Sequence, residues 1–240
     1  DKLDLGVGVY KDVDGKTPVM RAVREAERRL HKTQASKSYL GLAGDAIFNE
    51  LMIGLVFGEK AERPRLRAAQ TPGGTGALRL LADLIAASRP DTTVWVPDPT
   101  WPNHMPILRA AGLKTRTYPY FDTATGGVRF DAMIEALKGA ATGDVVLLHG
   151  CCHNPTGADL STAQWEAVAA LLAERGLTPF VDIAYQGFGD GLEKDAAGLR
   201  ILAAHVPELL AAASCSKNFS VYRDRAGAAL LLGRNAAEAD

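Results

Sequence analysis

The feature that most limits what this chain can fold into is a series of short, unbroken apolar runs separated by helical patterns. Thr93-Val94-Trp95-Val96, Val145-Val146-Leu147-Leu148-His149, Pro179-Phe180-Val181-Asp182 and Ala228-Ala229-Leu230-Leu231-Leu232 are each of strand length and bounded by turn-forming residues. A strand with one wet face alternates apolar and polar residues, so an unbroken run implies burial on both faces, as in a parallel sheet. Between the runs lie helical stretches, clearest over 162–175, where Trp165, Val168, Ala169, Leu172 and Ala173 share a face. This alternation predicts an α/β fold with a mainly parallel sheet flanked by helices. A further strand is expected over 3–10. Thr17-Pro18 reads as the N-cap and first-turn proline of an amphipathic helix bearing Val19, Val23, Ala26 and Leu30. Its interspersed Arg21, Arg24, Glu25, Glu27, Arg28 and Arg29 suit a solvated face better than a basic binding patch.

The bulk properties narrow the function classes. At 240 residues the chain holds one large domain or two small ones, with 47% hydrophobic residues to build a core. A net charge of -1 gives no reason to expect nucleic acid or an anionic membrane as partner. No apolar run approaches the ~20 residues that span a bilayer. Cys151, Cys152 and Cys215 are odd in number and two are adjacent, which implies no disulfide framework and fits a reducing cytoplasm. Adjacent cysteines also lack zinc-ligand spacing, so a site from Cys151, Cys152 and His153 is set aside and no metal is expected. The chain opens without Met and stops at a helix start, Asn235-Ala236-Ala237-Glu238-Ala239-Asp240. It therefore reads as a segment, and an upstream targeting peptide is left open.

Open α/β sheets place ligands at the carboxyl ends of their strands. Strand 93–96 leads into Pro97-Asp98-Pro99-Thr100-Trp101-Pro102-Asn103-His104, and strand 145–149 into Cys151-Cys152-His153-Asn154-Pro155-Thr156-Gly157. Strand 179–182 leads into Ile183-Ala184-Tyr185-Gln186-Gly187-Phe188, and an apolar run leads into Ser214-Cys215-Ser216-Lys217-Asn218. Gln70-Thr71-Pro72-Gly73-Gly74-Thr75-Gly76 precedes a helical run beginning near Ala77. Such a turn presents backbone amides to an anion, or it is a plain loop.

His153-Asn154-Pro155-Thr156-Gly157, Asp182-x-Ala184-Tyr185-Gln186-Gly187-Phe188 and Ser214-x-Ser216-Lys217-Asn218 resemble the signature segments of the class I pyridoxal-phosphate-dependent aminotransferases, nearest to their bacterial aspartate and aromatic-amino-acid branch. The likeness runs from Gly8-Val9-Tyr10-Lys11 to Arg225-x-Gly227. It implies the large cofactor-binding domain of the fold type I enzymes over 16–240, an N-terminal segment 1–15 near the active site, and a small C-terminal domain outside this chain.

The resemblance also implies roles. Lys217 would form the Schiff base with the cofactor and carry the proton; an ordinary surface lysine is the alternative. Asp182 would keep the pyridine nitrogen protonated, with His104 orienting it, although a turn aspartate after a strand is common. Tyr185 and Asn154 would bind the ring hydroxyl oxygen, and Trp101 would lie on the ring unless it is simply a core residue. Gly74, Thr75, Ser214 and Arg225 would hold the phosphate. Gly8, Trp101 and Asn154 would meet substrate. Tyr39, in Ser38-Tyr39-Leu40-Gly41-Leu42, would reach a neighbour's site in a homodimer, or be a buried tyrosine in a glycine-rich turn. His31, His149, His153 and His205 read as structural.

The chain departs from its relatives at Cys215, where many have tyrosine, and at Ser220, where many have glycine. Gly73 stands where relatives often have serine. The arginines that grip substrate carboxylates in the family would lie beyond Asp240. Val9, Lys11, Thr17 and Thr75 resemble the aspartate branch, and the segments around Lys217 and Tyr222 the aromatic one. The expected reaction is transamination of aspartate or aromatic L-amino acids with 2-oxoglutarate. A non-catalytic cofactor-binding regulatory module is the second reading. A nicotinamide dehydrogenase is rejected, for want of a Gly-x-Gly-x-x-Gly after the first strand.

Overall fold

The computed structural model describes residues 8–239. In chain order its elements are α1 (Arg21–Thr33), α2 (Ala46–Phe57), β1 (Leu66–Pro72), α3 (Gly73–Ser88), β2 (Thr93–Asp98), α4 (His104–Ala110) and β3 (Lys114–Pro119). A two-stranded hairpin, β4 (Phe121–Asp122) and β5 (Gly127–Val128), leads to α5 (Phe130–Leu137) and β6 (Val145–His149). Next come α6 (Thr162–Arg175), β7 (Thr178–Ile183), α7 (Leu192–Asp195), α8 (Ala197–His205), β8 (Leu209–Ser214), β9 (Ala226–Leu232) and α9 (Ala236–Ala239). Seven strands form one sheet in the order β1-β9-β8-β7-β6-β2-β3. Pairing is parallel from β8 through β3, and β9 alone runs against its neighbours.

The unbroken apolar runs have the predicted cause. In β6, Val146 and Leu148 enter one core cluster while Val145 and Leu147 enter another across the sheet. The first core lies under α2, α5, α6 and α8, and the second under α3 and α4. Both faces are dry, so neither set of alternate residues is polar. Helix α6 matches its expected bounds because its ends are specified locally. Gln164 N–H donates to Ser161 Oγ at 3.3 Å, and Ser161 N–H donates back to Gln164 Oε1 at 2.8 Å, a reciprocal capping box. Its buried face carries Leu171 where Ala173, which is exposed, was expected.

Four expectations change. The strand expected over 3–10 falls mostly on residues outside those described, and Gly8 to Tyr10 form no strand. Helix α1 starts at Arg21, because the Thr17 hydroxyl donates to the Tyr10 carbonyl rather than capping a helix. None of its residues is buried, and Glu25 pairs with Arg28 and Arg29 as on a solvated face. Helix α3 starts at Gly73 instead of near Ala77. The run 228–232 is an antiparallel strand. Among the described residues, no helix is long and apolar enough to cross a membrane.

The reversal of β9 brings its first residues to the edge where the parallel strands end, with Gly227 opposite Ser214. Close packing there leaves no room for a side chain. A Cβ on Gly227 would stand 2.6 Å from both the Ala213 carbonyl oxygen and the Gly73 carbonyl carbon. Gly227→Ala is expected to destabilise the protein by about 1–3 kcal/mol, since backbone must shift to admit the methyl. A lowered denaturation midpoint with an unchanged slope would show this, and an unchanged midpoint would contradict it.

Candidate active site

The carboxyl ends of β1, β2, β6, β7 and β8, with the start of β9, surround one cavity of about 260 Å³. Gly74 and Thr75 border it from the first turn of α3, Trp101 from the β2–α4 loop, and Asn154 from the loop after β6. Asp182 comes from β7 itself, Tyr185 from just beyond it, Ser214 and Lys217 from the end of β8, and Arg225 from the start of β9. Gly8 borders it from the N-terminal segment. Ten expected site residues thus meet at one place.

One wall is a buried polar chain. The Asp182 carboxylate lies 2.9 Å from His104 Nε2, and both side chains are almost wholly enclosed. The other His104 nitrogen is 2.7 Å from the Thr100 hydroxyl, which also contacts His149 Nε2 at 3.0 Å. The β2–α4 loop supplies Thr100 and α4 begins at His104, so the pairing follows from where β2 ends. Burial pushes His149 well below the usual histidine range, with His153 and His104 adding to the shift. Burial also lowers His153 to about 4, helped by His104. His153 stacks on Tyr120 at 4.1 Å between ring centres and lies tilted against His149 at 4.0 Å, and its Nδ1 meets the Thr156 hydroxyl at 2.9 Å.

Across the cavity, the Lys217 ammonium lies 4.9 Å from the centre of the Tyr185 ring. Burial lowers the pKa of Lys217, the Asp182 charge opposes that, and Arg225 reinforces it. The neutral, nucleophilic amine is therefore reached at a lower pH than for a free lysine. Burial raises the Tyr185 hydroxyl, as does Asp182, while a 3.4 Å contact from the Asn154 amide opposes the rise.

The far end is built for an anion. Arg225 donates to the Ser216 hydroxyl at 3.2 Å, and the Ser216 N–H donates to Ser214 Oγ at 3.2 Å. The first turn of α3 borders the same cavity, and the N–H groups and positive dipole end of a helix N-terminus suit an anion. A Cβ on Gly74 would meet the Ser214 side chain at 3.0 Å, so glycine lets the helix start approach.

Two expected residues do not border the cavity. His104 stands behind Asp182, and Tyr39 is fully exposed in its own chain, which rules out the buried-tyrosine alternative. Six lining residues were given no role in the site, among them Leu78 and Ala184. His149, read as structural, lines the cavity as the last residue of β6; Cys151, Ser216 and Tyr222 flank residues that were singled out. Ser216 stands in the quoted segment around Lys217 and Cys151 in the run after β6, so proximity to those segments was the available signal. The third ligand-type side chain beside the Cys151 and Cys152 thiols is Asp195 rather than His153, and its oxygens already accept from the N–H groups of Gly187, Gly189 and Asp190.

A family profile described as aminotransferase class I and II matches residues 1–237. The chain belongs to this family. It is 56% identical over 239 residues to a tyrosine aminotransferase of Rhizobium meliloti (strain 1021), covering 100% of this chain and 61% of that one. It is 48% identical over 242 residues to an aspartate aminotransferase of Escherichia coli (strain K12), again covering 100% and 61%. An aromatic-amino-acid aminotransferase of Burkholderia pseudomallei, solved covalently bound to pyridoxal phosphate, superimposes with a TM-score of 0.94 at 43% identity, covering 98% of this chain and 60% of that one. This aminotransferase chain therefore spans about three-fifths of the length of the curated relatives it matches. These relatives are named as enzymes, and nothing among them favours a non-catalytic module.

The neutral histidines make a pH prediction. The folded-state pKa of His153 lies below its unfolded value, so stability is intact above about 6.5 and is lost as pH falls toward about 4. That difference corresponds to about 3 kcal/mol at the acid end. His153→Phe keeps a ring for stacking and should flatten the decline in denaturation midpoint between those pH values. An undiminished decline would show that other groups carry it.

Proposed function

We propose that the cavity holds pyridoxal 5'-phosphate and that the full-length protein transaminates aspartate or aromatic L-amino acids with 2-oxoglutarate. The observation that carries this reading is the joint placement of Lys217 and Asp182 on one cavity whose far end is a helix N-terminus with Arg225. The residues fit the cofactor on structural grounds. A buried carboxylate held by histidine suits a protonated ring nitrogen, a desolvated lysine suits a carbonyl, and the Gly74–Ser214–Arg225 end suits a phosphate.

When bound, the cofactor would supply an electron sink for the bond broken at the substrate Cα. The remaining work falls to this chain. Asp182 holds a negative charge where the ring nitrogen would lie, and His104 fixes its orientation. Lys217 would anchor the cofactor, and its amine, lowered by burial, would move the proton at Cα. Tyr185 and Asn154 would hold the ring oxygen, Trp101 would cover the ring, and Thr75, Ser214 and Arg225 would bind the phosphate. Gly8, Trp101 and Asn154 also face the substrate.

The reading extends to assembly. Tyr39 is fully exposed, as expected of a side chain that completes a neighbouring subunit's site in a homodimer. The three cysteines are free thiols, which suits the cytoplasm.

The test is a half-reaction. Full-length holoenzyme mixed with aspartate or an aromatic L-amino acid, without acceptor, should release one 2-oxo acid per site. Asp182→Ala should lose roughly three orders of magnitude in rate, matching several kcal/mol of transition-state stabilisation in a low-dielectric site. Release of no 2-oxo acid would refute the reaction, and a variant rate within about tenfold of wild type would refute the role of Asp182.

A further inference from the structure

Among the described residues, hydrogen bonds from Tyr10 and to Pro18 tie the N-terminal segment that carries Gly8 to the Lys217 loop across the chain. Tyr10 N–H donates to the Tyr222 hydroxyl at 3.0 Å, and the Ser220 hydroxyl donates to the Pro18 carbonyl at 3.3 Å. Within the segment, the Thr17 hydroxyl donates to the Tyr10 carbonyl at 2.9 Å. Asp12 closes a turn by accepting from the N–H groups of Asp14 and Lys16. Both polar groups of the Tyr10 backbone are therefore engaged. None of the residues from Gly8 to Met20 is buried, so apolar packing does little to locate them. In a segment of this kind the polar ties decide where the chain lies.

The tie sits on the same loop as the chemistry. Ser220 and Tyr222 lie between Lys217 and Arg225, and the Tyr222 carbonyl accepts from Arg225 at 3.1 Å. Ser220 has φ 55, a conformation that glycine adopts freely and a residue with a Cβ adopts at a cost. Glycine at this position would relieve that cost but could not bond Pro18. The serine hydroxyl does.

We propose that Tyr222, Ser220 and Thr17 are positioning residues that hold the Gly8 backbone at the mouth of the cavity and thereby set substrate affinity. What binds there rests on the transaminase reading; the anchoring does not. Tyr222 and Ser220 fix the two ends of the segment to the Lys217 loop, and Thr17 fixes the segment's own shape.

The test uses full-length holoenzyme carrying Tyr222→Phe, Ser220→Gly or Thr17→Val. Each should speed amide hydrogen exchange in the peptide containing Tyr10 and raise KM for the amino acid roughly two- to tenfold, the size of one lost neutral hydrogen bond. In Ser220→Gly and Thr17→Val, which do not border the cavity, kcat and the cofactor absorption should stay as in the wild type. Unchanged exchange and KM in those two variants would overturn the proposal, because a rise confined to Tyr222→Phe would mean direct contact with ligand. Faster exchange in all three variants of a protein that does not transaminate would support the anchoring and refute the reaction.

Discussion

The cavity depends on a carboxylate buried at the end of a strand. Asp182 is paired in register with His149 on β6 and with Ala212 on β8, so the sheet fixes its backbone from both sides. A charge there is tolerable only if it is paired and hydrogen-bonded, because an isolated buried carboxylate is costly to desolvate. His104 meets that requirement, Thr100 holds His104, and His149 holds Thr100 from the other side. These groups come from β7, β6 and the loop after β2, which are neighbours in the sheet. One lateral chain of hydrogen bonds therefore locks three strand ends together. The same burial keeps His149 neutral and lowers Lys217, so the electrostatics of the site follow from its packing.

Parallel strands bring their carboxyl ends to one edge, but they cannot bring Arg225 there. The reversed β9 does so, because its amino end lies where the other strands stop. The price is crowding: Gly227 must slip between Ala213 and Gly73, and Gly74 must approach Ser214. Three glycines thus let the anion-binding end exist without disturbing the β8–β9 ladder.

Much of this was legible in the sequence, and the exceptions have physical reasons. Val145-Val146-Leu147-Leu148-His149 gave the full extent of β6, because two dry faces leave one pattern. The same pattern cannot reveal direction, so β9 read as one more strand of a parallel sheet. Gly73 and Gly74 are poor helix formers, so α3 was expected to start later; the close approach of this turn to Ser214 and Arg225 leaves room for glycine only. Thr17-Pro18 resembled a cap, but a competing acceptor, the Tyr10 carbonyl, takes the hydroxyl. In the site, Asp182, Tyr185 and Lys217 were legible because they stand in segments that resemble the class I aminotransferase signatures; from local sequence alone a turn aspartate or a surface lysine remained open. His149 was not, because its role comes through Thr100, a partner no sequence spacing links to it.

The account rests most heavily on Lys217 as the lysine that holds the cofactor. Borohydride reduction of full-length holoenzyme, followed by digestion and mass spectrometry, measures this directly. The cofactor mass should appear on the peptide containing Lys217 and disappear from that peptide in Lys217→Ala. A label on any other lysine, or none on reduced holoenzyme, would contradict the account.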